Sequence, residues 1–177
     1  MRTIPALAAL VLTGILIPTA AFAHPGHIGS LDVVAGLAHP LSGLDHIAAM
    51  LGAGFLAAML GRRGFISVPL AFLAALVVGF GLGTAQVGLP LIEATLAMSG
   101  VALVGFGFIA RRLRTGLAVA ASAGFALVHG VAHGLEMPAS VDALGFALGF
   151  VGASAALVGL GFAATRAVLH RGARKAA

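Results

Sequence analysis

Long apolar runs, separated by short polar or basic breaks, set the layout of this 177-residue chain. After a short hydrophobic leader, each run is close to or above the ~20 residues that a helix needs to cross a bilayer. The runs predict helices at 31–61, 65–86, 90–110, 116–137 and 143–167. The fold class implied is all-α: a polytopic membrane helical bundle, with residues 24–177 as a single transmembrane domain. The first run is longer than one crossing requires. Pro40 inside it cannot donate a backbone hydrogen bond, and its ring crowds the carbonyl of Gly36. A kink or break is therefore expected there, and residues 42–61 suffice to cross.

The leader reads as an export signal. Arg2 supplies a positive start, Ile4 to Ile17 a short apolar core interrupted by Pro5, and Ala21-Phe22-Ala23 a small-x-small cleavage pattern. Residues 1–23 are thus expected to be a cleaved signal peptide, leaving His24 at the mature N-terminus. The competing reading is an uncleaved first transmembrane helix. Either way His24 lies outside the cytoplasm.

Composition agrees with a membrane protein and excludes a soluble domain. Hydrophobic residues make up 60% of the chain and charged residues 8%, with mean hydropathy +1.13. Soluble domains carry about 25% charged residues. The sequence pI near 11.7 does not indicate nucleic-acid binding, because the few basic residues sit at segment ends, where topology explains them. No cysteine is present, so disulfides and thiolate sites are excluded. Tryptophan and tyrosine are absent too, so the usual aromatic belt is missing.

Charge then orients the bundle. Arg62 and Arg63 follow the first run, Arg111, Arg112 and Arg114 the third, and Arg166, Arg171, Arg174 and Lys175 the fifth. The alternate connections, 87–89 and 138–142, carry no basic residue, and Asp142 lies on the second. By the positive-inside rule the basic side is cytoplasmic, the mature N-terminus is outside and the C-terminus is inside. The expected location is the bacterial cytoplasmic membrane.

Two polar clusters stand out against this hydrocarbon. One is His39-Pro40-Leu41-Ser42-Gly43-Leu44-Asp45-His46; the other is His129-Gly130-Val131-Ala132-His133-Gly134-Leu135-Glu136. Ionisable groups at membrane depth are costly and read as functional by default. Imidazole with carboxylate suits divalent transition metals. The topology puts both clusters in the outer part of the membrane, together with Glu93, so they are expected to form one site. His129, His133 and Glu136 follow i+4 and i+3 spacing and share one helix stripe. Asp45, about 100° round the helix from His46, either binds the ion or orients an imidazole from behind. Gly43, Gly130 and Gly134 are expected to admit a neighbouring helix. Gly145 and Gly149, the glycines at 79, 81 and 83, and Gly105 and Gly107 read as packing positions.

Other candidates are weaker. Glu93 is either a metal ligand or a helix-start carboxylate favoured by the macrodipole. Asp32 reads first as a helix-start residue and second as a ligand, and His170 as interfacial. His24 and His27 form either an exposed tail or a site of weak ion capture. Pro25 lacks an amide proton, so a compact site of successive deprotonated backbone nitrogens cannot run through it.

The pattern HPxxGxDH in the first run, and HGxAHGxE in the fourth, resemble those of the HupE/UreJ family. The leader, the small size and the number of spans match as well, so the resemblance covers nearly the whole chain. It implies a nickel permease serving hydrogenase or urease maturation, with some members linked to cobalt. It also implies that His39, Asp45, His46, His129, His133 and Glu136 handle the metal, with Glu93 a looser match. Val128 stands where the family's second motif commonly has phenylalanine.

The function expected is therefore a secondary permease that takes up Ni²⁺, and second Co²⁺, through a His/Asp/Glu site in the outer half of the bundle. The ion is cargo, and no tightly bound cofactor is expected. Nitrogen and oxygen donors suit nickel, and the lack of cysteine argues against Cu(I). No phosphate-loop motif occurs, so neither nucleotide nor nucleic acid is an expected partner. The partners are the metal ion and the lipid bilayer, with homo-oligomerisation left open. The alternative is a membrane-embedded zinc-dependent hydrolase using the same residues, with an open coordination position for water.

Overall fold

Apolar runs in lipid become helices because only helices, or closed barrels, satisfy every backbone donor and acceptor internally. The computed structural model describes residues 31–176, and these are helical apart from short connections. The signal peptide expected at 1–23, with His24 and His27, lies outside the described residues. The helices are α1 (Leu31–Ser42), α2 (Leu44–Leu60), α3 (Ser67–Thr84), α4 (Ile92–Phe108), α5 (Thr115–Glu136) and α6 (Ala143–Ala176). A 3₁₀ turn, Gly61–Arg63, ends α2. Four helices are long and apolar enough to cross a membrane: Leu44–Arg63, Ser67–Thr84, Thr115–Glu136 and Ala143–Arg174. The 17-residue α4 is apolar but shorter, about 26 Å at 1.5 Å per residue.

Two boundaries differ from the sequence reading. The first run breaks at Gly43, not at Pro40, which stays inside α1. Pro40 removes only its own bond to Gly36, so the helix survives one further turn. At that point the Ser42 hydroxyl donates to the His39 carbonyl at 2.6 Å, taking the acceptor that Gly43 N–H would have used. Gly43 is extended (φ −108°, ψ 123°), and its carbonyl accepts from Ile47 N–H at 3.1 Å to start α2. The last run continues to Ala176 instead of ending near 167, giving a 34-residue helix. No proline follows 167, and the arginines there suit the negative C-terminal end of the helix dipole. At roughly 51 Å it outruns the ~30 Å hydrocarbon core, so its last turns project beyond the apolar layer.

Close glycine contacts fix the helix directions. A side chain at Gly79 would run into the Leu127 carbonyl, and one at Gly83 into that of Val131; conversely, Gly130 faces the Leu76 carbonyl and Gly134 that of Phe80. Residue numbers rise together on both helices, so α3 and α5 run parallel. The same test pairs α2 with α4, where Gly100 meets Ala48 and Gly107 meets Phe55. It also pairs α1 with α6, where Gly145 meets Asp32 and Gly149 meets Val33 and Leu37. From α2 onward the short connections make sequential helices antiparallel, while α1, parallel to α6, runs in the same sense as α2 across the break at Gly43. All the arginine clusters therefore lie at one end, and the chain's five carboxylates lie in the other half: Asp32, Asp45, Glu93, Glu136 and Asp142.

The glycine expectations separate accordingly. Gly79, Gly83, Gly107, Gly145 and Gly149 pack closely, whereas Gly81 and Gly105 face open space, on the outer sides of their helices. Gly130 and Gly134 bring in α3 rather than the helices of the first motif. Small residues matter here because lipid supplies no hydrophobic drive between helices, so association rests on close packing.

We expect Gly79→Val to lower the thermal stability of the purified protein in detergent by about 1–3 kcal/mol, the usual cost of overpacking. Gly81→Ala should leave the melting temperature unchanged or slightly raised. Melting both variants beside the parent checks the packing assignment.

Candidate metal centre

The break at Gly43 sets how the first motif meets the second. It leaves His39 in the last turn of α1 and His46 in the first turn of α2, both turned toward α5. His129 and His133, one turn apart, face back from α5. The His39 ring lies 4.8 Å from that of His133, and the His46 ring lies 4.5 Å from His133 and 4.8 Å from His129, all edge-on. The expectation that the two clusters come together is met, and His133 stands between the two histidines of the first motif.

Two sets of donor atoms result. His46, His129 and His133 form a buried set, and His39, His133 and Glu136 a set open at one side. Within each set the donor atoms lie within 4.8 Å of one another. Ligands ~2.1 Å from a metal sit roughly 3–3.4 Å apart, so the most widely spaced donors would close by at most about 1.5 Å to coordinate an ion. His133 belongs to both sets. The Glu136 side chain is 49% exposed and that of His39 24%, whereas His129 and His133 have no exposed surface.

Hydrogen bonds orient three of the four rings. A carboxylate oxygen accepts, so His39 Nε2–H donates to Glu136 Oε2 at 3.2 Å and His46 Nδ1–H donates to Asp45 Oδ1 at 2.9 Å. The second bond leaves His46 Nε2 free for the centre, the usual carboxylate–histidine–metal arrangement. Of the two readings of Asp45, this geometry fits the orienting one. Gly43 permits it: a Cβ there would sit 2.8 Å from both Asp45 Oδ1 and His46 Nδ1.

The third anchor is Ser99 of α4, a residue that sequence reasoning missed. Its hydroxyl donates to the Leu96 carbonyl at 2.7 Å, and its single proton is thereby used. Toward His129 Nε2, at 2.9 Å, the oxygen can then only accept, so Nε2 carries the hydrogen and Nδ1 presents a lone pair. Nothing in the sequence distinguishes Ser99 from an ordinary serine bonding its own helix, which it also does. His133 is the exception: among the described residues neither of its ring nitrogens has a partner, and His129 Nδ1 has none. Leaving such a group unpaired costs about 1–3 kcal/mol each. Phe146 and Phe150 of α6 close the apolar side, 5.3 Å from His39 and 4.9 Å from His133 by ring centre. Phe80 of α3 backs them in turn.

The remaining candidates stay apart from these sets. Glu93 is exposed in the first turn of α4, and Asp32 packs beside Gly145 at the start of α1. Asp142 accepts from Gly145 N–H at 2.7 Å, capping α6. His170 accepts from Arg166 at the basic end. Ser122 is also fully buried, with a hydroxyl oxygen that has no partner among the described residues. It lies seven residues before His129, on the same face of α5.

A helical bundle with spans of this kind and imidazoles gathered in its interior is a multi-pass membrane protein with a candidate metal-binding core. Residues 10–177 match the family described as HupE / UreJ protein, and the chain belongs to that family. Protein HupE of Rhizobium leguminosarum bv. viciae is 38% identical over 159 residues, covering 88% of this chain and 82% of that protein. No solved structure matches. The family consists of metal-transport and accessory proteins for hydrogenase and urease, not of enzymes, which sets the hydrolase alternative aside.

Ser99→Ala should leave the buried His129 Nε2–H without an acceptor and let the ring exchange tautomers. We expect metal affinity to fall about 10–100-fold, as for other residues that orient a ligand from behind, with helical content unchanged. Ser99→Thr should recover most of it. Calorimetric titration of the purified variants checks this.

Proposed function

We propose that this chain is a secondary permease carrying a divalent transition metal, nickel first and cobalt second, through the His/Asp/Glu centre. The observation that supports it most is the sharing of His133 between an open and a buried set of donors. A neutral imidazole offers one lone pair, on either nitrogen according to its tautomer, and with neither nitrogen of His133 engaged by a described residue the ring can present it to the open set or to the buried one. An ion entering at Glu136 and His39 would pass to His46 and His129 with His133 as the ligand common to both sets. Rearrangement of the helices would then release it toward the basic end, with Ser122 as the next buried polar group on that face of α5.

Charge suits this route. Moving two positive charges into lipid is very unfavourable unless anions compensate. Glu136 belongs to the open set and Asp45 backs the buried one, so each set has one carboxylate close by. The arginine end is the cytoplasmic side by the positive-inside rule, which puts the open set outside in the bacterial cytoplasmic membrane. A negative-inside potential contributes about 4.6 kcal/mol per divalent ion at 100 mV, at 2.3 kcal/mol per charge. His24 and His27, at the outer N-terminus, would raise the local ion concentration. Glu93 and Asp32, outside both sets, would act on approach rather than in coordination.

The test is initial ⁶³Ni uptake into proteoliposomes, normalised to inserted protein. His133→Ala should abolish uptake. Asp45→Asn and Glu136→Gln, nearly isosteric, should each reduce it at least 10-fold by the charge argument. Neither should impair insertion, since each removes a charge from lipid. Parent-like rates in both carboxylate variants would contradict this account of how the ion is neutralised.

The tail gives a separate expectation. His24→Ala with His27→Ala should weaken uptake at low metal and leave it intact at saturation. Loss of uptake at saturating metal would place these residues in the obligatory path.

A further inference from the structure

A cavity lies at the basic end, apart from His39, His46, His129 and His133. It is a crevice of ≈ 460 Å³ lined by Gly61, Arg62, Phe65, Ile66, Phe162 and Arg166, where the turn after α2 and the start of α3 meet α6. Its floor is apolar: the Phe65 and Phe162 rings lie 5.1 Å apart, and Phe65 and Ile66 are 53% and 67% exposed. Two guanidinium groups join it from two helices. Arg166 is held by its bond to His170 Nε2 one turn further on, 3.3 Å away.

Among the described residues these arginines have no anionic partner. All five carboxylates lie in the opposite half, and the segments around the crevice carry Arg62, Arg63, Arg166, His170, Arg171 and Arg174 without an acid. Arginine's planar fork matches a phosphate, and neither set of metal donors includes a residue of this end. A ligand suited to the crevice has an anionic headgroup for the arginines and a hydrocarbon body for the phenylalanines. Basic pockets between helices at the membrane surface take such lipids.

We propose that this crevice binds an anionic phospholipid, its phosphate between Arg62 and Arg166 and an acyl chain along Phe65, Ile66 and Phe162. A free phosphate shares the charge but leaves the apolar floor uncovered. The alternative to a site is diffuse attraction, in which any two arginines at this end count equally.

The experiment is native mass spectrometry of the purified full chain, incubated with equal amounts of phosphatidylglycerol and phosphatidylcholine of the same acyl length. The parent should retain phosphatidylglycerol in preference. Arg62→Gln with Arg166→Gln should remove most of that preference. Arg111→Gln with Arg112→Gln, which deletes equal charge at the same end outside the crevice, should preserve it. If the first double variant fails to fold by circular dichroism, Arg166→Gln alone should give the same result at smaller amplitude. Parent-like selectivity in the crevice variant, or equal loss in both double variants, would overturn the proposal. So would displacement of the lipid by millimolar inorganic phosphate.

Discussion

His133 is the group on which the structure turns: a fully buried imidazole with neither nitrogen hydrogen-bonded to a described residue. Lipid cannot repair such a defect, because hydrocarbon offers no hydrogen-bonding partners. Packing holds the ring in place. Phe150 covers one side, and the rings of His39 and His46 meet it edge-on. The close contact between α3 and α5, through Gly79, Gly83, Gly130 and Gly134, keeps α5 from moving away to relieve the defect. An unpaired polar atom retained at such cost is readily understood if a transient ligand completes it.

The other imidazoles are treated differently. Each of His39, His46 and His129 has one nitrogen fixed by an oxygen: from Glu136, Asp45 and Ser99 respectively. Orienting contacts of this kind settle which nitrogen is offered and keep the lone pair pointed inward. One histidine adaptable at both nitrogens, surrounded by three held in register, is an arrangement suited to passing an ion along rather than trapping it. A resident metal site would be expected to fix every ligand.

Much of this was legible in the sequence, for physical reasons. Apolar length gave the helices, and the arginines gave their alternation, because charge is expensive in lipid wherever it falls. The depth argument brought His39, Asp45 and His46 to the level of His129, His133 and Glu136. What it could not give was lateral contact. Ser99 looks like any serine in an apolar helix until α4 is placed beside α5. Pro40 was a reasonable guess for the break, but proline costs one bond, and the end of α1 was decided by Ser42 and Gly43. Gly130 and Gly134 were read correctly as contact positions, but which helix they admit, α3, was not legible. Periodicity shows which face is small, not which helix arrives there.

The account's central claim is that a divalent ion is bound by imidazoles from both motifs, with His133 among them. X-ray absorption at the nickel K-edge, on purified protein loaded with one equivalent of Ni²⁺, reports this directly. The prediction is nitrogen and oxygen donors with the outer-shell scattering of several imidazoles, reduced in His133→Ala. A spectrum of hydrated nickel, the same in parent and variant, would contradict it.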